Sequence, residues 1–253
     1  MATRRRPVGW CAAALTGLVL GCTAAPIDVA TSSSGGLTAG LVGHWKFDEG
    51  VGPVAGDSSG NNRTGSIFGP GWSWIPGRFG SALHFSSNDE VSVLGLPQAT
   101  ESYSVSAWLL VATSELGSPF SSLLNTEIIG GGWALYATLA PGYASYDFRY
   151  WVGGPTQYEL ASCYCLVPDA WVHVAAVKDA TTSSLTLYVN GVAKNVSSTI
   201  SAIIPGAGTL SIARQQAPGF GLTGALDDVA IYDRALVPEE VAELAQAPAP
   251  DPQ

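Results

Sequence analysis

The chain has 253 residues, 11 basic and 20 acidic side chains, and a formal net charge of −9. That acidic balance argues against nucleic acid and anionic lipid as partners, and it suits divalent cations. Only 12% of residues are charged and 47% are hydrophobic, so a large core can form.

Arg4, Arg5 and Arg6 open the chain, an apolar stretch runs from Val8 to Leu20, and Gly21-Cys22 follow. A basic start, a short apolar run and a small residue before the cleavage point make residues 1–21 a secretory signal. The run is too short to span a bilayer comfortably. Val19-Leu20-Gly21-Cys22 resembles a bacterial lipobox, in which Cys22 is acylated and becomes the new N-terminus; Val19 stands where that pattern prefers leucine. The alternative is an ordinary signal cut near Ala24, with Cys22 discarded. The lipobox implies a bacterial cell-envelope protein held by several acyl chains, which anchor stably. Thr23 after the cysteine favours the outer membrane, with secretion to the cell surface as the other possibility. Residues 22–40 are small and polar and are predicted to form a flexible tether. Residues 246–253 are rich in Pro and Ala and are predicted to be a disordered tail.

Between these ends helical periodicity is almost absent. Strand-like runs fall at about 42–48, 81–86, 90–94, 103–111, 121–129, 132–139, 146–152, 157–161, 170–178, 185–190, 192–196, 208–213 and 224–232. Asn190-Gly191 between two apolar runs predicts a two-residue hairpin, since both positions tolerate positive φ. Pro238 to Leu244 is the one helix candidate: Pro238 suits the first position and Glu239 and Glu240 its positive end, although Val237 is a poor N-cap. Many short strands and one terminal helix predict an all-β, two-sheet antiparallel jelly-roll sandwich over residues 41–245.

Cys163 and Cys165 remain once Cys11 and Cys22 are assigned to the signal and the lipid. An exported chain permits a disulfide between them, but residues two apart in a straight strand are at the limit for bridging, so the bond needs a turn or bulge. Two free thiols or half a metal site are the alternatives.

Three blocks carry a family resemblance. They are Gly43-His44-Trp45-Lys46-Phe47-Asp48-Glu49-Gly50 with Asp57-Ser58-Ser59-Gly60-Asn61-Asn62, then Trp171-Val172-His173-Val174-Ala175 with Leu185 to Gly191, and finally Gly224 to Leu236 around Asp227-Asp228. Together they resemble the LamG-like jelly-roll branch of the concanavalin A-like lectin/glucanase superfamily. The resemblance implies that the first and last strands are neighbours. It also implies a calcium ion near Asp57 and Asp227, with Asn62 as a weaker ligand. The oxygen-rich loop 57–65 suits calcium, which takes six to eight oxygens; the competing reading is a plain turn in which Asp57 caps backbone amides. On regular strand alternation only one of Asp227 and Asp228 can point at that loop.

Sugars stack on aromatic rings beside a few polar groups. The candidates are Trp72 and Trp74, read as part of a Gly/Pro-rich loop, and Tyr150 and Trp151, neighbours of which one faces in and the other out. Trp45, Trp108 and Trp171 read as core, and the three histidines as structural. No E-x-D-x-x-E run of laminarinase type is present, and Gly56-Asp57-Ser58-Ser59-Gly60 lacks the strand and helix that a nucleophile elbow needs. The sequence therefore points to a non-catalytic, surface-tethered module that binds a polysaccharide or other glycan, with calcium fixing its loops. It meets the membrane only through its lipid and does not bind nucleic acid. The alternatives are a protein-binding adhesion module of laminin-G type and a glycoside hydrolase with a non-standard acid pair.

Overall fold

The computed structural model describes residues 36–98, 101–115, 121–128, 131–140, 143–151, 158–198, 202–214 and 220–246. The signal, Cys22, most of the tether and the tail from 247 lie outside the described residues. Among the described residues sixteen strands are present: β1 (Leu41–Trp45), β2 (Val54–Ala55), β3 (Gly65–Phe68), β4 (Ser73–Pro76), β5 (Ser81–Phe85), β6 (Glu90–Leu94), β7 (Tyr103–Leu110), β8 (Ser121–Asn125), β9 (Trp133–Ala140), β10 (Tyr143–Trp151), β11 (Tyr158–Cys163), β12 (Val172–Asp179), β13 (Ser184–Val189), β14 (Val192–Ser198), β15 (Thr209–Ile212) and β16 (Gly224–Tyr232). One helix, α1 (Pro238–Leu244), follows them.

The strands form two antiparallel sheets of eight. The first has the order β14-β13-β12-β7-β16-β5-β4, with β1 also pairing β16. The second runs β11-β10-β9-β8-β15-β6-β3-β2. Alternate residues of each strand meet between them: Val105, Ala107 and Leu109 of β7 and Val174 and Ala176 of β12 face Leu135 and Ala137 of β9 and Val91 and Val93 of β6 in one core. Asn190 and Gly191 take φ of +49° and +73°, the two positive values that the predicted hairpin requires.

β16 pairs β7 along one edge, while its other edge is shared by β5 at Gly224–Leu226 and by β1 at Val229–Tyr232. The register slips between Asp227, opposite Trp108, and Ala230, opposite Ser106. This is a β-bulge, and Asp228 sits in it at φ +50°. Leu226 and Val229, three residues apart, consequently both reach the main core. Strict alternation, on which the sequence reading of Asp227 and Asp228 rested, does not hold here.

The outer face of the first sheet carries a second apolar cluster, built from Leu41, Val177, Tyr188, Ala230 and Tyr232 and covered by Leu236, Val241 and Leu244. Val237 offers α1 no side-chain cap, but Glu240 accepts the Val237 N–H at 3.0 Å. Leu37 is buried in the same cluster, so the described end of the expected tether, residues 36–40, packs on the domain. Arg234 fastens this corner: it donates to the carbonyls of Ala39 and Gly36 at 2.7 and 3.1 Å and grips Glu240 with two bonds of 2.7 and 2.8 Å.

β2, β3 and β4 have no counterpart among the predicted strands. Trp74 lies in β4, hydrogen-bonded in register to β5, and not in an open loop. Trp and Ile favour a pleated surface, and Pro76 is tolerated because β4 is an edge strand.

Replacing Arg234 by Met is expected to lower stability by about 1–3 kcal/mol, because a bidentate charged pair and two backbone contacts go together. Hydrogen exchange is expected to show faster opening of residues 36–40 and of α1, with β12 and β13 unaffected.

Candidate functional site

The outer faces of the two sheets differ. On β9 the residues alternating with the core-facing Trp133, Leu135 and Ala137 include Tyr136 and Thr138; on β10 those flanking core-facing Tyr146 are Ser145 and Asp147, with Arg149 beyond, and Tyr136, Thr138 and Ser145 are themselves buried. Register places Asp147 opposite both Tyr136 and Ser162 of β11, and Arg149 opposite Ala134 and Leu160. The chain just past β8 adds Glu127.

These side chains form two groups. Arg149 Nε and Nη2 donate to the two oxygens of Glu127 at 2.7 and 2.8 Å, and Nη2 also donates to the Tyr136 hydroxyl at 2.8 Å. The Tyr136 hydroxyl donates to Glu127, and Asn125 fixes both the Glu127 N–H (2.7 Å) and the Tyr136 oxygen (3.3 Å). The Arg149 guanidinium lies 4.6 Å over the Tyr136 ring. Burial, and then the charge and hydrogen bond of Glu127, push the Tyr136 phenol well above its ordinary value. Burial works against the Arg149 charge, but the hydrogen bond to Glu127 and the contact with Tyr136 outweigh it. In the second group Asp147 accepts three hydroxyls: Thr138 at 3.0 Å, Ser145 at 2.9 Å and Ser162 at 2.6 Å. The face continues on β6 and β15, where Ser211 donates to Glu90 at 2.7 Å.

The Glu127 side chain is 4% exposed and Arg149 28%. Ion pairs withdrawn this far from water add little to stability, because desolvation offsets the attraction. What such a pair provides is a fixed arrangement of donors and acceptors. Sequence reading missed Glu127, Tyr136, Asp147 and Arg149. The signal available was charge inside otherwise apolar strand runs, at alternate positions on neighbouring strands.

Asp57, Asn62 and Asp227 are not assembled into a ligand set. Asp57 Oδ1 accepts the N–H groups of His44 and Ser59 at 3.0 and 2.9 Å, and Oδ2 accepts that of Arg63 at 2.8 Å. Burial opposes its ionisation, yet the Ser59 hydroxyl and the amides of Arg63, Ser59 and His44 together hold its pKa below the usual carboxylate value. Its oxygens are thus spent on the loop itself. Asn62 is exposed at φ +56°, and it is Asn61 that ties the loop to the carbonyls of Leu41 and Val42, at 2.9 and 3.0 Å. Asp227 turns elsewhere, with Oδ2 accepting the Phe79 N–H at 2.9 Å and Oδ1 buried without a hydrogen-bond partner. Asp228 is the acid linked to the Asp57 loop, through His44: its carboxylate meets His44 Nε2 at 2.5 Å, while Asp57 holds the His44 N–H. Among the described residues no group of three or more His, Cys, Asp or Glu could hold a metal. As arranged, these residues do not fit calcium.

The candidate aromatics are divided between the sheets. Trp72 and Trp74 meet edge-on at 6.4 Å, pack partly buried on the main core, and Trp74 Nε1 donates to the Gly52 carbonyl at 3.2 Å. Tyr150 and Trp151 lie in β10, opposite Glu159 and Tyr158 of β11, and their side chains are outside the described residues. Cys163 and Cys165 are bridged, and a bend at Tyr164 brings their Cα atoms to 5.3 Å. A cavity of about 260 Å³ opens at the end of the sandwich beside Gln98, Glu101, Tyr103 and Trp133. Tyr103 and Trp133 stack on each other at 5.8 Å and are each 2% exposed, so they offer no ring face to a ligand.

Two packed antiparallel sheets with neighbouring terminal strands define a concanavalin A-like jelly-roll module. The chain belongs to the Laminin_G_3 family of the concanavalin A-like lectin/glucanases superfamily, whose model matches residues 85–242. Among curated proteins none matches it significantly. Of solved structures it resembles domain 4 of AbnA, a GH43 extracellular arabinanase from Geobacillus stearothermophilus, in complex with arabinotriose. The TM-score is 0.65 at 23% identity, over 82% of this chain and 99% of that one. It also resembles the binding domain of botulinum neurotoxin serotype D/C (TM-score 0.66, 13% identity) and that of Paraclostridial Mosquitocidal Protein 1 (0.65, 18%). Each of these two matches covers 83% of this chain, which spans about half, 52%, of the other. Likeness at these identities establishes the fold alone.

Two outcomes follow from the acids. If Asp57 is a clamp, calcium and EDTA leave the unfolding midpoint unchanged, and Asp57→Ala lowers stability by about 2 kcal/mol through orphaned amides; a calcium-dependent rise in midpoint contradicts this. Burial pushes Asp227 up to about 7, opposed by the Phe79 amide and reinforced by the charge of Asp228. Burial also drops His173 to about 3. The Asp227 contribution is complete below its unfolded value of 3.8 and is lost as pH rises through about 7. The His173 contribution is complete above 6.5 and is lost as pH falls towards 3. The two oppose one another in between. The expected result is that the midpoint of Asp227→Asn, relative to wild type, climbs steadily from roughly pH 4 to 8.

Proposed function

We propose that this chain is a non-catalytic carbohydrate-binding module, held on a bacterial envelope through acylated Cys22, that binds a neutral polysaccharide across the outer face of β8–β11. The observation that carries the reading is the partly exposed Arg149, locked by Glu127 and Tyr136 beside an Asp147 already ringed by hydroxyls. A sugar hydroxyl both donates and accepts, so a surface with a fixed guanidinium next to a fixed carboxylate suits it. Preorganisation matters because ordering loose side chains on binding subtracts from affinity. The fold likeness to the arabinanase domain solved with arabinotriose supports the same class of ligand. The surface tether rests on Arg4–Arg6, the apolar run and Cys22.

The test is affinity electrophoresis through arabinan and a panel of other neutral polysaccharides. At least one is expected to retard the protein. Arg149→Lys, which keeps the charge and loses the planar fork, is expected to weaken binding about tenfold or more, as is Asp147→Ala. Retardation by none of them, or variants that bind like wild type while still folded, contradicts the assignment. Release of new reducing ends from a retarding polysaccharide would make the protein a hydrolase instead.

A further inference from the structure

Cys163 and Cys165 are bonded across a single intervening residue. β11 ends at Cys163, the chain bends at Tyr164, and the Cys165 N–H donates to the Cys163 carbonyl at 2.9 Å. That hydrogen bond closes the same three-residue turn that the disulfide closes. The flanks are anchored independently. Ala161 and Leu166 are buried in the main core, and Cys163 is in register with Tyr146 of β10. A cross-link stabilises chiefly by restricting the unfolded chain, and its effect grows with the length of loop enclosed. This loop encloses Tyr164 alone, so the bond restrains almost nothing that the turn and the core do not already hold.

The two sulfurs also differ in access. Cys163 is 9% exposed and part of the core, Cys165 is only partly buried, and Tyr164 between them is 74% exposed. An incoming group can approach from the Tyr164 and Cys165 side.

We propose that Cys163–Cys165 is a thiol–disulfide exchange site, open to a small thiol such as glutathione or to a partner protein's thiol, and not a cross-link on which the fold depends. The incoming thiolate attacks Cys165 Sγ, the Sγ–Sγ bond breaks, and its electron pair leaves on Cys163 Sγ, which takes a proton from solvent. The product is a mixed disulfide on Cys165 beside a Cys163 thiol. A second incoming thiolate then displaces Cys165 as a thiol and yields the disulfide of the two incoming groups. Two thiols are oxidised and one disulfide is reduced. Closure is the reverse, and the Cys165 N–H to Cys163 carbonyl hydrogen bond keeps the sulfurs within reach of one another. The inference is independent of the glycan reading.

The test treats the full chain with millimolar reduced glutathione, quenches by alkylation and scores peptides by mass spectrometry, so that Cys11 and Cys22 are read separately. The pair is expected to open, with glutathione on Cys165 exceeding that on Cys163 by about tenfold. The unfolding midpoint of the reduced wild-type chain is expected to fall within about 2 °C of the oxidised one. A pair that stays closed in that buffer, glutathione first on Cys163, or a reduced chain that melts about 10 °C lower overturns the proposal.

Discussion

The bulge in β16 is the constraint on which the sandwich depends. One strand must serve β7 along one edge and both β5 and β1 along the other. A regular strand would send Leu226 and Val229 to opposite faces; the extra residue lets both enter the core. Asp228 takes the strained position, which aspartate tolerates better than most residues. Its carboxylate meets the ring of His44 in β1, while the Asp57 loop holds the His44 amide. A local irregularity near the end of the chain therefore fixes the first strand and the first loop. The acids that family likeness would assign to a metal work here as structural clamps.

With the sheets fixed in this way, their outer faces differ in character. The first sheet closes the molecule: α1, Leu37 and the Arg234–Glu240 pair cover an apolar cluster and hold both ends of the domain on one side. The second sheet carries hydroxyls, carboxylates and Arg149 in neighbouring hydrogen-bonded groups. Desolvation offsets much of the attraction between Glu127 and Arg149, so the pair is no strong source of stability. Tyr136 beneath the guanidinium and Asn125 beside it leave the pair little freedom.

Much of the fold was legible in the sequence. Val, Ile, Tyr and Trp runs marked most of the longer strands, Asn190-Gly191 marked its hairpin, and Pro238 with Glu240 marked α1. β2 to β4 were not legible because strands of two to four residues carry no sustained alternation, and the glycines and prolines around Trp72 and Trp74 read as loop. The Asp227–Asp228 geometry was hidden because a bulge breaks the period-two rule without leaving a Gly or Pro as its sign. The polar face was hidden for another reason: Glu127, Tyr136, Asp147 and Arg149 are scattered over 23 positions and meet only through strand register. The aromatic residues chosen from sequence drew attention to ring stacking, whereas the network in the structure is built on charge and hydroxyls.

The most direct measurement of the central claim is a residue-resolved NMR titration of the labelled protein with a retarding polysaccharide or an oligosaccharide from it. The account predicts that the largest shifts fall on Tyr136, Asp147, Arg149 and Ser162, with the Arg149 side-chain Nε–H among them and α1 silent. Shifts confined to Trp72 and Trp74, or to the cavity beside Gln98 and Glu101, would show that the β8–β11 face is an ordinary solvated surface and that recognition lies elsewhere on the sandwich.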